Sequence, residues 1–259
     1  MANKLLGQHF LKNRGAAGKI VAAVGARPGD TIIEIGPGHG ELTRPLAATG
    51  ARVIAIEKDG ALAEQLDKTG IPNLEVIAGD VLTMLPALAA DGGKLVGNLP
   101  YYLTGHLLRL ISELETKPAR CVFMVQKEVA LRMTAAPPHM NRLAASVQFW
   151  AEPDIVANLP KSDFSPQPKV DSTVVQLEAK PAISDAAAPT SAQYYAAVRI
   201  LFSQPRKTLL NNLTAGRPRS AEFPKDDISK ILEALGANPQ LRPQNLTVGQ
   251  IGAIAKAFF

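Results

Sequence analysis

The chain has 259 residues, 46% of them hydrophobic and 20% charged, with one cysteine and a formal net charge of +5. That apolar fraction excludes a disordered chain, and the length suffices for one large or two modest cores. Lone Cys121 excludes an internal disulfide framework, no apolar run reaches the roughly 18 residues a bilayer span needs, and the N-terminus lacks the apolar core of a signal peptide, so the expectation is a soluble protein of a reducing, cytoplasmic compartment.

In chain order, Thr31–Ile35, Arg52–Ile56, Leu74–Ala78, Lys94–Gly97 and Cys121–Val125 are short apolar runs that predict strands, with helical patterns over Glu41–Ala48 and Ala61–Lys68 between the first three. Strand–helix alternation predicts an α/β fold with a mostly parallel sheet covered by helices on both faces. Ile155–Leu159 and Ser172–Leu177 predict two further strands that close the sheet with an antiparallel edge, separated by a Pro- and Lys-rich loop from Pro160 to Val170. Residues 179–191, rich in Ala, Pro and Ser, read as a linker. Only helical patterns follow: Ala192–Ser203, Arg206–Leu213, Asp226–Leu235 and, N-capped by Thr247, Val248–Phe258. The expected domains are therefore residues 1–180 and a small all-helical domain at 184–259.

Charge is unevenly placed. Residues 1–29 hold Lys4, Lys12, Arg14, Lys19 and Arg27 with no acid, and residues 199–220 hold Arg199, Arg206, Lys207, Arg217 and Arg219 with no acid. Two basic stretches on a chain of isoelectric point 9.3 suit either a polyanionic partner or an ordinary solvated surface.

Gly36-Pro37-Gly38-His39-Gly40 lies between a predicted strand and helix, where glycines let a ligand approach the backbone closely. The dinucleotide fingerprint needs a third glycine at position 41, which is Glu; this weakens a pyrophosphate reading and disfavours a dehydrogenase. Glu57 ends the second strand, where a carboxylate can accept from both hydroxyls of a ribose, and Asp80 ends the third, where it can accept from an adenine amino group or simply cap a helix. Asn98-Leu99-Pro100-Tyr101 follows the fourth strand. An Asn amide oxygen and a neighbouring main-chain carbonyl can accept both hydrogens of an exocyclic amine, Pro100 restricts the backbone, and Tyr101 offers a stacking face. The alternative is a strand-end turn with a core tyrosine.

Glu34-Ile35-Gly36-Pro37-Gly38-x-Gly40-x-Leu42-Thr43 resembles the first motif of the class I S-adenosylmethionine-dependent methyltransferases, in particular the ribosomal RNA adenine dimethyltransferases. Gly7-Gln8-His9-Phe10-Leu11, Gly97-Asn98-Leu99-Pro100-Tyr101, Val125-Gln126-Lys127-Glu128-Val129-Ala130-x-Arg132, Phe164-x-Pro166-x-Pro168-Lys169-Val170-Asp171-Ser172 and Arg206-Lys207-Thr208-Leu209 are similar to signatures of the small-subunit branch. The chain departs from the family pattern at Tyr102 and at Met140-Asn141-Arg142-Leu143.

The resemblance implies a Rossmann-like methyltransferase domain over 1–180 and a helical RNA-recognition domain over 184–259. It implies S-adenosylmethionine as cofactor, held by His9, Leu11, Gly36, Gly38, Glu57, Asp80, Val81 and Asn98. It implies catalysis by Asn98, Leu99, Pro100, Tyr101 and Phe164, the last as a second stacking face or else a loop anchor in the core. Lys4, Lys12, Arg14, Arg206 and Lys207 would contact RNA phosphates, and alignment of an adenine N6 with an already activated methyl donor needs no metal. Gln126-Lys127-Glu128 reads as a surface turn rather than a catalytic element. The implied reaction is dimethylation of N6 on two adjacent adenosines in a hairpin near the 3′ end of 16S rRNA, in the small subunit or its assembly intermediate, by a monomeric enzyme with a role in subunit biogenesis and no membrane partner. A large-subunit (23S) adenine methyltransferase of the resistance type and a non-catalytic assembly factor are the alternatives.

Overall fold

The computed structural model describes residues 9–100, 102–181, 188–216 and 223–259, and the chain divides into two compact units. The first comprises residues 1–131 and 151–179, the second residues 132–150 and 180–259. The elements run β1 (Phe10–Leu11), α1 (Arg14–Val24), β2 (Thr31–Ile35), α2 (Thr43–Ala47), β3 (Arg52–Glu57), α3 (Gly60–Asp67), β4 (Leu74–Ala78), α4 (Val81–Leu88), β5 (Lys94–Asn98), α5 (Thr104–Glu113), β6 (Arg120–Gln126), α6 (Lys127–Met133), α7 (Arg142–Gln148), β7 (Ala151–Leu159), β8 (Phe164–Ser165), β9 (Ser172–Ala179), α8 (Ser191–Leu201), α9 (Leu209–Gly216), α10 (Lys225–Ala234) and α11 (Val248–Phe258).

Seven strands form one sheet in the order β4-β3-β2-β5-β6-β9-β7, with β2 to β6 mutually parallel and β9 antiparallel to both neighbours. The sole reversed strand is thus the penultimate one, and β7 at the edge again runs with the parallel set. Parallel strands covered on both faces must be apolar throughout. Ile32, Ile33, Val53, Ile54, Leu95, Val96, Val122 and Phe123 are all buried. The strand order reverses between β2 and β5, which makes the carboxyl ends of these strands the topological switch point. Register aligns Ile35 with Ile56 and Gly97, and Glu57 with Ala78, so the residues after each strand emerge side by side.

Side-chain caps set where several helices begin. Asn13 accepts from Ala16 N–H to start α1, Asp59 accepts from Ala61 N–H to start α3, and Asp80 accepts from Leu82 N–H to start α4. Neither α1 nor the helices α4 to α7 is among the expected elements. β7 starts four residues earlier than expected, because a register shift between Ile155 and Ala157 breaks its alternation and Pro153 sits in an edge strand, where a missing N–H is tolerated. A further two-stranded sheet, also absent from the sequence reading, pairs β1 with β8 at Phe10↔Ser165 and Leu11↔Phe164.

The second unit is helical around Tyr194, Leu201, Leu213, Leu232, Ile254 and Phe258. Residues 132–150, expected within the first domain, group with it. The cause is local: Tyr194 on α8 donates its hydroxyl to Ala145 O on α7 (3.0 Å), Tyr195 donates to Ser146 O (3.2 Å), and the Phe149 ring stacks on Tyr194 at 3.9 Å between centroids. Burial raises the Tyr194 hydroxyl's pKa, with the Tyr195 hydroxyl adding to the shift, so it stays a donor. Tyr194→Phe leaves Ala145 O short of that partner and is expected to cost about 1–3 kcal/mol in urea unfolding; a variant as stable as the parent would contradict this role.

Candidate cofactor and base site

The Gly36–Gly40 turn follows β2 with positive φ at Gly36 (65°), Gly38 (59°) and Gly40 (86°), a conformation side chains resist. A Cβ at Gly38 would lie 2.8 Å from the Phe10 ring, whereas one at Gly36 would meet nothing within 4 Å. Gly36 therefore faces open space at the sheet edge.

Glu57 is buried, and both of its carboxylate oxygens are engaged: Oε2 accepts from Gly38 N–H (3.1 Å) and Oε1 from Asp59 N–H (2.9 Å). It ties the glycine turn of β2 to the end of β3 and keeps lone pairs for further donors. Asp80 does two jobs as well, accepting from Leu82 N–H at Oδ1 (2.9 Å) and from the Lys58 ammonium at Oδ2 (2.9 Å). The Lys58 hydrogen bond first, then the Leu82 N–H, hold its carboxyl below the usual carboxylate range, so Asp80 is an ionised acceptor. The helix-cap reading and the ligand reading of Asp80 are thus not exclusive.

Two adjoining cavities occupy this edge. One of about 70 Å³ has apolar walls from Ile35, Ile56, Val81, Pro100 and Leu103, with Glu57, Lys58 and Asp80 at its rim. The other, of about 60 Å³, is lined by His9, Phe10, Gly38, Asn98, Leu99 and Phe164 among others. Gly36, Glu57 and Pro100 line both. The first offers an apolar wall with carboxylates at its rim that can accept from amino and hydroxyl donors. The donor set and the open space at Gly36 fit S-adenosylmethionine.

Asn98 ends β5. Its Nδ2 donates to His9 O (2.6 Å), which leaves Oδ1 as the acceptor end of the amide. His9 is itself fastened, its Nδ1 lying 2.7 Å from Pro166 O. Phe164 is 2% exposed and packs with Leu11, Val96 and Val122, yet it also lines the smaller cavity. Leu11 turns into the core and lines neither cavity. Lys12 and Arg14 are exposed at the start of α1. Arg206 and Lys207 are exposed in the second unit, on a turn gathered by buried Asn212, whose Nδ2 donates to Gln204 O and Thr208 O, both at 3.1 Å. Tyr101 and Lys4 lie outside the described residues.

Sequence reasoning missed Phe10, Lys58, Leu103 and Ser172 as lining residues, and gave no role to Glu34. The signal for Glu34 was present: a charged residue inside an otherwise apolar strand. It is 1% exposed, its Oε2 has no hydrogen-bond partner among the described residues, and burial pushes its carboxyl up to about 8. The Thr43 hydroxyl opposes that shift without reaching hydrogen-bonding geometry, and Glu41 and Glu57 reinforce it. Glu34 is thus largely protonated at neutral pH. Between its ordinary value of 4.5 and about 8, the folded chain holds a proton that the unfolded chain releases, so stability falls as pH rises through that window. Glu34→Gln is expected to flatten the dependence. Its stability relative to the parent, followed by denaturant unfolding, should rise from pH 4.5 to 8; a constant difference would contradict the assignment.

Comparison with known proteins gives concordant matches. A family model described as ribosomal RNA adenine dimethylase matches residues 1–239. A ribosomal RNA small subunit methyltransferase A from Dehalococcoides mccartyi is 39% identical over 252 residues, covering 95% of this chain and 85% of that protein. One of the same description from Pelotomaculum thermopropionicum is 39% identical over 277 residues, covering 98% and 90%. Among solved structures, a dimethyladenosine transferase from Plasmodium falciparum superposes with a TM-score of 0.79 at 27% identity, covering 96% of this chain and all of that one. The 23S rRNA methyltransferase ErmE superposes with a TM-score of 0.74 at 25% identity, covering 96% and 99%.

Proposed function

This chain belongs to the ribosomal RNA adenine dimethylase family and is an S-adenosylmethionine-dependent rRNA adenine dimethyltransferase, and we propose that it acts on two adjacent adenosines in a hairpin near the 3′ end of 16S rRNA. Its substrate in this reading is the small subunit or an assembly intermediate of it, met by a monomeric enzyme in the cytoplasm. The curated relatives described as small-subunit enzymes, at 39% identity, favour this over the large-subunit reading.

The observation that carries the site assignment is the pair of adjoining cavities that share Gly36, Glu57 and Pro100. One marks the edge at which the cofactor's nucleoside is held, with Glu57 accepting from ribose hydroxyls, Asp80 from the adenine amine and Val81 in the wall. The other receives the target base, which must leave its stack to reach it.

When bound, S-adenosylmethionine supplies an electrophilic methyl group. The residues of the chain orient the nucleophile. Asn98 Oδ1, held in direction by the Nδ2–His9 O hydrogen bond, accepts from the N6 hydrogens together with a main-chain carbonyl of the Asn98–Pro100 turn. Those acceptors favour positive charge growing on nitrogen, and alignment of the amine contributes about 7–11 kcal/mol. Leu99 is buried and anchored through its N–H to Met124 O (3.2 Å), so the turn has a fixed base. Pro100 fixes φ at its centre. Phe164 and Tyr101 supply the faces that hold the ring, and Lys4, Lys12, Arg14, Arg206 and Lys207 meet phosphates.

Labelled S-adenosylmethionine offered to small subunits lacking the modification, with large subunits in parallel, should yield N6,N6-dimethyladenosine from the small subunit alone. Asn98→Ala should lower the rate by about 10²–10³. Label in the large subunit, or an undiminished Asn98→Ala rate, would contradict the reading.

A further inference from the structure

Two of the signatures quoted above contain stretches with no role in the site: Gln126 to Arg132 and Pro168 to Asp171. The fold brings parts of both together. Lys127 N–H donates to Asp171 O (3.0 Å), and Lys161 N–H donates to Asp171 Oδ1 (3.0 Å), so Asp171 closes the turn where β6 ends and β9 begins. The surface they form is an open groove of about 470 Å³ lined by Gln126, Lys127, Glu128, Leu131, Lys161, Lys169, Val170 and Asp171. Its cations are available: no ion pair within 4 Å involves Lys127, Lys161 or Lys169 among the described residues. Its two apolar side chains, Leu131 and Val170, stand 53% and 43% exposed.

Residues that line the groove adjoin, along the chain and across the sheet, residues that line the base cavity. Ser172 lines that cavity and Asp171 lines the groove; Phe164 lines the cavity and Lys161, three residues earlier, lines the groove. Met124 pairs with Asn98, and Gln126, two residues on along β6, opens onto the groove.

We propose that this groove is the track for single-stranded RNA flanking the target adenosine, with Lys127, Lys161 and Lys169 on phosphates and Leu131 and Val170 against unstacked bases. Free ammonium groups interleaved with exposed apolar surface match a chain of alternating phosphate and base. Lysine, in contrast, is depleted from protein–protein interfaces, yet supplies three of the eight lining residues here. The inference rests on the RNA-substrate reading above and extends it to a surface outside both cavities.

The test uses the full chain and the triple variant Lys127→Ala/Lys161→Ala/Lys169→Ala. Binding is measured against salt for small subunits lacking the modification and for a single-stranded oligoribonucleotide carrying the target with its flanks. Three lost phosphate contacts should reduce the slope of log affinity against log salt by about two. Affinity for both ligands should fall roughly tenfold or more, and Lys→Arg at the same three positions should restore the slope. Unchanged S-adenosylhomocysteine binding by calorimetry certifies the fold. An unchanged slope with unchanged affinity overturns the proposal. Weaker binding to subunits with oligonucleotide binding intact overturns it in favour of a protein contact. Because binding is read without turnover, failure of methyl transfer by the parent would sink the enzymatic reading separately.

Discussion

The Glu57 carboxylate is the constraint around which the site is arranged. Buried at the end of β3, it accepts from the backbone of Gly38 on one side and Asp59 on the other, and so binds the turns after two adjacent strands into one wall. A buried carboxylate needs such partners, since an unpaired charge there would be costly. The same pair of hydrogen bonds fixes the glycine turn with its positive φ angles and starts α3 one residue after Asp59. Parallel register then places Asp80 and Asn98 at the same edge, so four strand ends act as one surface.

A second layer closes over that surface. β1 and β8 pair residues more than 150 positions apart, and Lys12 N–H reaches Asp163 O at 2.7 Å. His9 carries the connection inward, with its ring near Pro166 O and its own carbonyl on Asn98. The direction of the Asn98 amide therefore depends on the N-terminal segment. Glu34 behind the turn adds a neutral carboxyl where an ionised one would repel Glu57.

Much of this was legible from residues alone. Strands β2 to β6 read cleanly because each is a short, largely apolar run, and Gly36, Glu57, Asp80 and Asn98 read as a set because each lies at or just after the carboxyl end of a strand. Other features were hidden for physical reasons. Two-residue strands such as β1 and β8 carry no periodicity, and their partnership is wholly long-range. Residues 132–150 join the helical unit through a tyrosine on a helix some fifty positions away, which no local pattern announces. The Lys58–Asp80 ion pair joins two strand ends 22 positions apart, and the inward turn of Leu11 is set by core packing, neither of which a local pattern carries. Phe164 belongs to the core and also borders the smaller cavity.

The most direct measurement is backbone hydrogen exchange with and without S-adenosylhomocysteine. One shared site at the carboxyl edge predicts joint protection of the segments around Gly36–Gly40, Glu57–Asp59, Gly79–Leu82 and Asn98–Pro100, with no change at the opposite edge around Gly29–Thr31 and Asn73–Glu75. Protection confined to one of the four segments, or centred on the opposite edge, would contradict the account.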